Sequence, residues 1–281
     1  MSRIVYVNGV FVPEEEAKVS VFDRGFLFAD GVYEVTSVVD GRLVDNAAHL
    51  ARLKRSLAEL KMASPLPMAE IEAVQRETVA RNGLIEGALY LQVSRGAADR
   101  DFALPRQARP SLVMFTQSRA LIDNPAAARG IAVVTLPDIR WRRRDIKTVQ
   151  LLAASLAKQA ALDAGADDAW LVEDGFVTEG TSNNAHIVVD GTIVTRHLSD
   201  DILHGITRKA VLRLAGEGGV RFAERAFTVT EAIGADEAFI TSATAFVLPV
   251  VRIDGRPVGG GRPGPVTSRL RALYVEEARR A

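Results

Sequence analysis

The sequence predicts an α+β protein of two domains, rich in antiparallel sheet. Two observations carry this. Asn-Gly and Asp-Gly pairs recur between apolar or β-branched runs, and stripes of apolar residues at helical spacing interleave with them. A third sets the scale: 281 residues suffice for one large domain or two modest ones.

The turn signals are Asn8-Gly9, Asp40-Gly41, Asp174-Gly175, Asp190-Gly191 and Asp254-Gly255. Both positions of a type I′ turn need positive φ, which Asn, Asp and Gly tolerate. Their flanks read as strands: RIVYV/VFV, VYEVTSVV/RLV, AWLVE/FVTE, HIVV/TIVT and VVRI/RPV. Meanders of this kind exclude a uniform βαβ order.

Helices fall between them. Leu50, Leu53, Leu57 and Leu60 repeat at spacings that line one helical face from Asn46 onward. Residues 69–82 read as a helix stopped by Gly83. Val149, Leu152, Leu156 and Ala160 line another, closed by Gly165, and 207–214 and 267–278 add two more. The stretch SRALIDNPAAARG holds an Asn-Pro step and no period, and reads as a linker. The expected division is 1–117, a smaller N-terminal α+β domain; 118–129, the linker; and 130–281, a larger C-terminal domain that includes Lys147. GGGRPGP, Gly259 to Pro265, lacks the Lys-Ser/Thr of a phosphate loop and reads as a flexible turn.

Lys+Arg and Asp+Glu are equal at 35 each, which argues against a nucleic-acid binder. Without cysteine there is neither a disulfide framework nor a thiolate metal site. Four unclustered histidines point away from a metal centre. No apolar run reaches the ~20 residues of a membrane span. MSRIVYVNGVFVPEEE shows no apolar signal core, so a cytoplasmic location is expected.

Lys147, in RDIKTVQLL, stands where a helix is expected to begin. A cation there opposes the helix dipole at a cost of about 0.3–1 kcal/mol. Arg142, Arg143 and Arg144 precede it. Crowded cations favour a neutral amine, the nucleophile a Schiff base needs; taken alone, the position is accounted for by an ordinary surface lysine. Glu179 begins a run of small polar residues, Gly180 to Asn184, entering an apolar strand, as a chain does beside a ligand. Ile206 and Thr207 open a helix after Gly205, either a plain cap or an anion site. Thr241, Ser242 and Thr244 end another strand, as a turn or a second phosphate wall. Arg52 flanks the leucine stripe, where it is solvated or holds a phosphate in bidentate fashion.

Together these segments resemble one family. DRGFLFADGVYEV, HLARLKRSL, YLQVSRG, DIRWRRRDIKTVQLLAASLAKQ, VTEGTSNN, LHGITRK and TSATAFVLPV resemble, in order and spacing, the class IV (fold type IV) pyridoxal-phosphate aminotransferases, nearest the D-amino-acid (D-alanine) branch. The resemblance implies pyridoxal 5′-phosphate as cofactor and Lys147 as the lysine that forms the internal aldimine and shuttles the substrate Cα proton. It implies Glu179 at the pyridine nitrogen, Arg52, Ile206, Thr207 and Ser242 at the phosphate, and Leu203 against the ring. Ala243 stands where a second hydroxyl is frequent, leaving its backbone amide for that contact. Tyr33, in GVYEV, matches a substrate-contacting tyrosine, though an aromatic on a half-buried strand needs no such role. A homodimer is implied as well.

One departure concerns the substrate carboxylate. The branch carries an Arg-x-His pair; here Arg100 is followed at that spacing by Phe102, with Asp99 and Asp101 beside the arginine. One charged contact is worth about 1.5–3 kcal/mol, or roughly one to two decades of affinity. The implied reaction is ping-pong transfer from a D-amino acid to a 2-oxo acid such as 2-oxoglutarate or pyruvate. Transamination of branched-chain L-amino acids or (R)-amines, or aminodeoxychorismate lyase chemistry, are the alternatives on the same fold. A non-catalytic binding protein would lack a reason to keep both Lys147 and Glu179.

Overall fold

All five expected hairpin turns form with both residues at positive φ, from 48° at Asp190 to 102° at Gly9. This is the type I′ geometry whose twist matches that of the flanking strands. The computed structural model describes residues 2–281. The chain forms two compact units, Met1–Ala120 with Ile146–Gln150 and the terminal Ala281, and Leu121–Asp145 with Leu151–Arg280.

In the first unit, β1 (Ile4–Val7) and β2 (Val10–Pro13) are followed by a short helix α1 (Arg24–Phe28). Then come β3 (Gly31–Val39), β4 (Arg42–Leu43), the helices α2 (Asn46–Glu59) and α3 (Met68–Arg81), and β5 (Gly87–Ser94) and β6 (Ser111–Ser118). The six strands form one antiparallel sheet in the order β2-β1-β6-β5-β3-β4. The expected stripe Leu50, Leu53 and Leu57 on α2, with Ile71 on α3, meets Leu89 and Leu91 of β5 in a single core. Tyr33, Tyr90 and Phe115 stack as a ladder across β3, β5 and β6, with ring centroids 5.6 and 4.7 Å apart.

The second unit holds α4 (Pro125–Arg129), β7 (Ile131–Pro137), α5 (Leu152–Asp163), β8 (Asp168–Glu173), β9 (Phe176–Gly180), β10 (Asn184–Val189) and β11 (Thr192–Thr195). It continues through α6 (Ile206–Glu217), β12 (Phe222–Glu224), α7 (Val229–Ile233), β13 (Glu237–Ser242), β14 (Phe246–Ile253), β15 (Arg256–Pro257) and α8 (Pro265–Ala278). Its nine strands run β12-β11-β10-β13-β14-β7-β8-β9, with β15 beside β14. β7 is parallel to both β8 and β14, and β12 to β11, so the sheet is mixed. Trp170, Phe227, Ile187 and Ile240 anchor its core.

The structure departs from four expectations. The Asn-Pro step starts α4: Asn124 Oδ1 accepts from Ala126 N–H at 3.0 Å and Pro125 fills the first turn, where its missing N–H costs nothing. The boundary falls after Ala120, and Ile146–Gln150, with Lys147, joins the first unit although it was expected in the second. The face of α5 is also different. Ala154, Ala157 and Ala161 are buried, the last two against β7 and β8, while Leu152 and Leu156 are 73% and 57% exposed. Alanines allow close approach to the sheet; the larger leucines face outward, and Val149 precedes the helix.

The glycine-rich turn is built rather than loose. The Glu237 carboxylate, 8% exposed, accepts from Val266 N–H (2.9 Å) and from Thr267 N–H (2.8 Å) and hydroxyl (2.7 Å) at the start of α8. An anion at a helix N-terminus is well placed electrostatically. A Cβ on Gly264 would stand 2.1 Å from the Glu237 Cδ. Gly264→Ala is therefore expected to destabilise the fold by about 1–3 kcal/mol, as other overpacked sites do. Gly260→Ala, whose Cβ meets only the Arg262 side chain at 3.6 Å, should change little. Denaturant midpoints of the two variants check this.

Candidate active site

Lys147 is not on a helix. Tyr33 N–H donates to Lys147 O at 2.9 Å and Val149 N–H to Gly31 O at 3.1 Å, and Val32 and Thr148 form an isolated bridge. Chain bonded laterally to β3 cannot also close i→i−4 bonds, so α5 begins only at Leu152. Lys147 therefore stands outside the first turn of α5, contrary to the expected helix start. Its Nζ lies 4.1 Å from the centre of the Tyr33 ring, within cation–π range. Ser56 Oγ on α2 accepts from the Lys147 N–H at 3.4 Å.

Neighbouring strand residues point to opposite faces, and Glu34 accordingly turns toward α2. Its carboxylate accepts from Arg52 Nε at 2.8 Å and Nη2 at 2.7 Å, and pairs with His49 Nδ1 at 2.8 Å. Glu34 is 1% exposed and Arg52 8%. Burial alone would raise the Glu34 carboxyl. The charge and two bonds of Arg52, with His49, outweigh it and hold the carboxyl at about 2. Arg52 is thus fixed in plane by a carboxylate whose sequence position marks it only as a face-alternating neighbour of Tyr33.

Arg100 and Phe102 meet each other and Phe28. The Arg100 guanidinium is 5.4 Å from the Phe28 ring centre and 5.8 Å from that of Phe102, and the two rings meet edge-to-face at 5.6 Å. Phe102 is 80% exposed. Arg24 anchors this loop, donating from Nη1 to Asp101 O at 2.6 Å and from Nε to Asp30 at 2.8 Å.

In the second unit the centre is Glu179 on β9, buried at 3% exposure. It accepts from Arg140 Nη1 (2.6 Å), Leu203 N–H (3.0 Å) and Asn184 Nδ2 (3.0 Å). Arg140 is held in turn by both oxygens of Asp138, at 2.9 and 2.7 Å, and Thr178 donates to Asp138 at 2.7 Å. Burial pushes the Glu179 carboxyl up from its ordinary value, against the pull of Arg140 and the Leu203 amide. Asn184 Nδ2 also donates to Leu203 O at 2.9 Å. A Cβ on Gly205 would stand 2.0 Å from Asn184 Oδ1, so only glycine fits there. One asparagine therefore ties Glu179 to the start of α6.

That start carries no capping side chain. The first-turn N–H groups at Ile206 and Thr207 thus keep the donor capacity of an uncapped N-terminus, and Thr207 is 3% exposed. Ser242, at the end of β13, accepts from Ala245 N–H at 3.1 Å, with Ala243 in the turn between. Two cations crowded before Lys147 in sequence are matched by carboxylates, Arg143 by Asp145 (3.0 Å) and Arg144 by Glu173 (2.8 Å). Sequence reasoning missed the roles of Arg140, Asp138 and His49. Asp138 and Arg140 lie in DIRW, where only their alternation could have marked them as partners.

Residues 31–253 match the family model described as amino-transferase class IV. The chain is 40% identical over 268 residues to the D-alanine aminotransferase of Bacillus licheniformis, covering 95% of this chain and 94% of that one. It is 38% identical over 278 residues to the D-alanine aminotransferase of Staphylococcus haemolyticus, with coverages of 97% and 98%. Among solved structures, a T.th. branched-chain amino acid aminotransferase with pyridoxamine 5′-phosphate superposes with a TM-score of 0.92 at 30% identity, over 99% of this chain and 95% of that one. The chain belongs to the class IV aminotransferases, and its two-unit α+β architecture is fold type IV.

The Glu34 pair makes a pH-dependent contribution. Its folded carboxyl at about 2 lies below the ordinary ~4.3 of an unfolded glutamate. The stability gained is therefore present above about pH 4.5 and lost as pH falls toward 2. The shift corresponds to on the order of 3 kcal/mol. Glu34→Gln should remove that acid dependence and, by leaving Arg52 buried without its anion, cost about 3–5 kcal/mol at neutral pH. Urea unfolding of both proteins from pH 7 to pH 2.5 measures it.

Proposed function

We propose that this chain is a pyridoxal 5′-phosphate-dependent transaminase that moves an amino group from a D-amino acid to a 2-oxo acid such as 2-oxoglutarate or pyruvate, by a ping-pong mechanism. The observation that carries the reading is Glu179, a buried carboxylate oriented by Arg140, Asn184 and the Leu203 amide, in a chain 40% identical to a D-alanine aminotransferase. The residues fit the cofactor: a fixed buried carboxylate for a ring nitrogen, an uncapped helix start and a lysine set over an aromatic ring.

When bound, pyridoxal phosphate supplies an aldehyde that takes up the amino group and a ring that draws electrons from the substrate Cα. Lys147 Nζ is the nucleophile for that aldehyde and carries the proton between the substrate Cα and cofactor C4′. Glu179 holds a proton at the ring nitrogen. Its carboxyl, made more basic by burial, suits that shared proton. The Ile206 amide, the Thr207 hydroxyl, Ser242 and the Ala243 amide hold the phosphate, with Arg52 supplying positive charge. The start of α6 turns the positive end of its dipole toward such an anion. Leu203 sets its side chain against the ring while its backbone holds Glu179.

Tyr33, Arg100 and Phe102 contact the substrate. Arg100 is the carboxylate partner, and the exposed Phe102 beside it favours a second reading, tolerance of (R)-amines that lack a carboxylate. Among the described residues no helix is long and apolar enough to cross a membrane. The reading places the enzyme in the cytoplasm as a homodimer.

The test is a half-reaction panel of D-amino acids, L-amino acids and (R)-amines, followed by cofactor absorbance. D-alanine or D-glutamate should convert the cofactor while their L-forms do not; conversion by the L-forms alone would overturn the reading. Borohydride reduction and peptide mapping should place the pyridoxyl group on Lys147.

A further inference from the structure

The turn between β13 and β14 carries a strained residue that none of the chemistry above uses. Ala243–Ala245 form a three-residue connection, with Ser242 and Phe246 paired across its base. Phe246, the first residue of β14, lies in the left-handed region at φ 59°, a conformation that favours glycine. A bulky side chain holds that conformation only when its surroundings over-determine it.

The surroundings are two residues of α8. Tyr274 meets the Phe246 ring edge-on at 5.1 Å, and Phe246 is fully buried. Arg271, one turn earlier, donates from Nη1 to Ala245 O and to Val247 O, both at 2.9 Å. These are the carbonyls on either side of Phe246. From Nη2 it donates to Leu121 O at 2.6 Å and Ile122 O at 3.0 Å, the first two residues of the second unit. All four bonds go to main-chain carbonyls, and Asp123 is the acid that adds an electrostatic pull on its charge. A guanidinium spent wholly on main-chain oxygens fixes backbone geometry rather than a charge pair.

We infer that Arg271 is a positioning residue for phosphate binding: by gripping the carbonyls on both sides of Phe246 it presets the Ser242–Ala245 turn. This rests on the proposed reading that Ser242 and the Ala243 amide hold the cofactor phosphate. Arg271 touches neither cofactor nor substrate. Its effect is to remove the need for the phosphate to order the turn when it binds, so its loss weakens binding of phosphorylated cofactor specifically.

The experiment compares full-length wild type, Arg271→Met and Arg271→Lys, each reconstituted with pyridoxal phosphate or with pyridoxal, which lacks the phosphate. Arg271→Met is expected to raise the dissociation constant for pyridoxal phosphate about tenfold while leaving that for pyridoxal within about twofold. Arg271→Lys, a point donor without the guanidinium fork, should fall near Arg271→Met. An unchanged constant for pyridoxal phosphate, or equal losses for both compounds, overturns the inference. Amide hydrogen exchange of 245–247, the turn amides that the proposed phosphate contacts do not use, tests it in the unmodified protein without any variant. These amides should be protected to the same extent with the cofactor stripped or bound; protection that arises only on cofactor binding overturns it. Ala243→Pro tests the underlying reading separately. If it leaves the pyridoxal phosphate constant unchanged, the turn is not a phosphate wall. If it weakens binding while Arg271→Met does not, only the positioning role fails.

Discussion

The lateral hydrogen bonds between Ile146–Gln150 and β3 are the constraint on which the proposed chemistry depends. Two main-chain bonds, which together make the Val32–Thr148 bridge, take a short segment out of the sequence neighbourhood of α5 and lay it on the first unit's sheet. A free lysine on an exposed helix turn explores many rotamers. One whose own N–H and C=O are bonded to Ser56 and Tyr33 has its Cα fixed, and its Nζ rests over an aromatic face. The Tyr33 ring is itself stacked on Tyr90 and, through it, Phe115. The lysine's position is thus set by backbone bonds and by a ladder of rings, with no loop left to chance.

Two buried glutamates show how the same partner produces opposite outcomes. Glu34 receives two bonds from one arginine and a third from a histidine, and its carboxyl is held low. Glu179 receives a single bond from Arg140, whose other bonds go to Asp138, a second carboxylate that also acts on Glu179. An arginine divided between two acids cannot offset full burial for both, so the desolvation cost prevails at Glu179. Glu34 is consequently a fixed counter-ion, a structural partner of Arg52. Glu179 is a carboxylate kept basic while its orientation is locked, which suits its proposed place at a ring nitrogen.

Turn chemistry and helix periodicity made most of the first unit legible in the sequence, because each signal there is local. Asp40-Gly41 forces its own hairpin, and the leucines of α2 have only one core to face. The second unit was harder to read for physical reasons. The burial of α5 follows from how closely it approaches β7 and β8, which favours alanine over leucine and inverts the hydrophobic stripe. Asn124-Pro125 punctuates the chain equally well as a linker or as a helix start. Lys147, Glu179 and the α6 start are marked as site candidates by motif resemblance, whereas His49, and the pair Asp138–Arg140, meet Glu34, Thr178 and Glu179 through pairings 15 to 40 residues apart. Spacing along a chain does not reveal such partners.

The turn at Phe246 completes this contrast between local and imposed structure. At five hairpins the chain meets the demand for positive φ with Asn or Asp followed by Gly, residues that accept it at little cost. At the sixth it uses phenylalanine, for which the left-handed conformation costs of order 1–3 kcal/mol. Burying that ring returns about 1.5–3 kcal/mol, close to what the strain removes, so the arrangement is not explained by stability gained at Phe246 itself. Glycine there would remove both terms and leave the turn free to move. What phenylalanine adds is rigidity: a ring wedged against Tyr274, with both flanking carbonyls gripped by Arg271. A near-zero balance of energy combined with a large loss of freedom is the signature of a segment whose shape matters more than its contribution to folding.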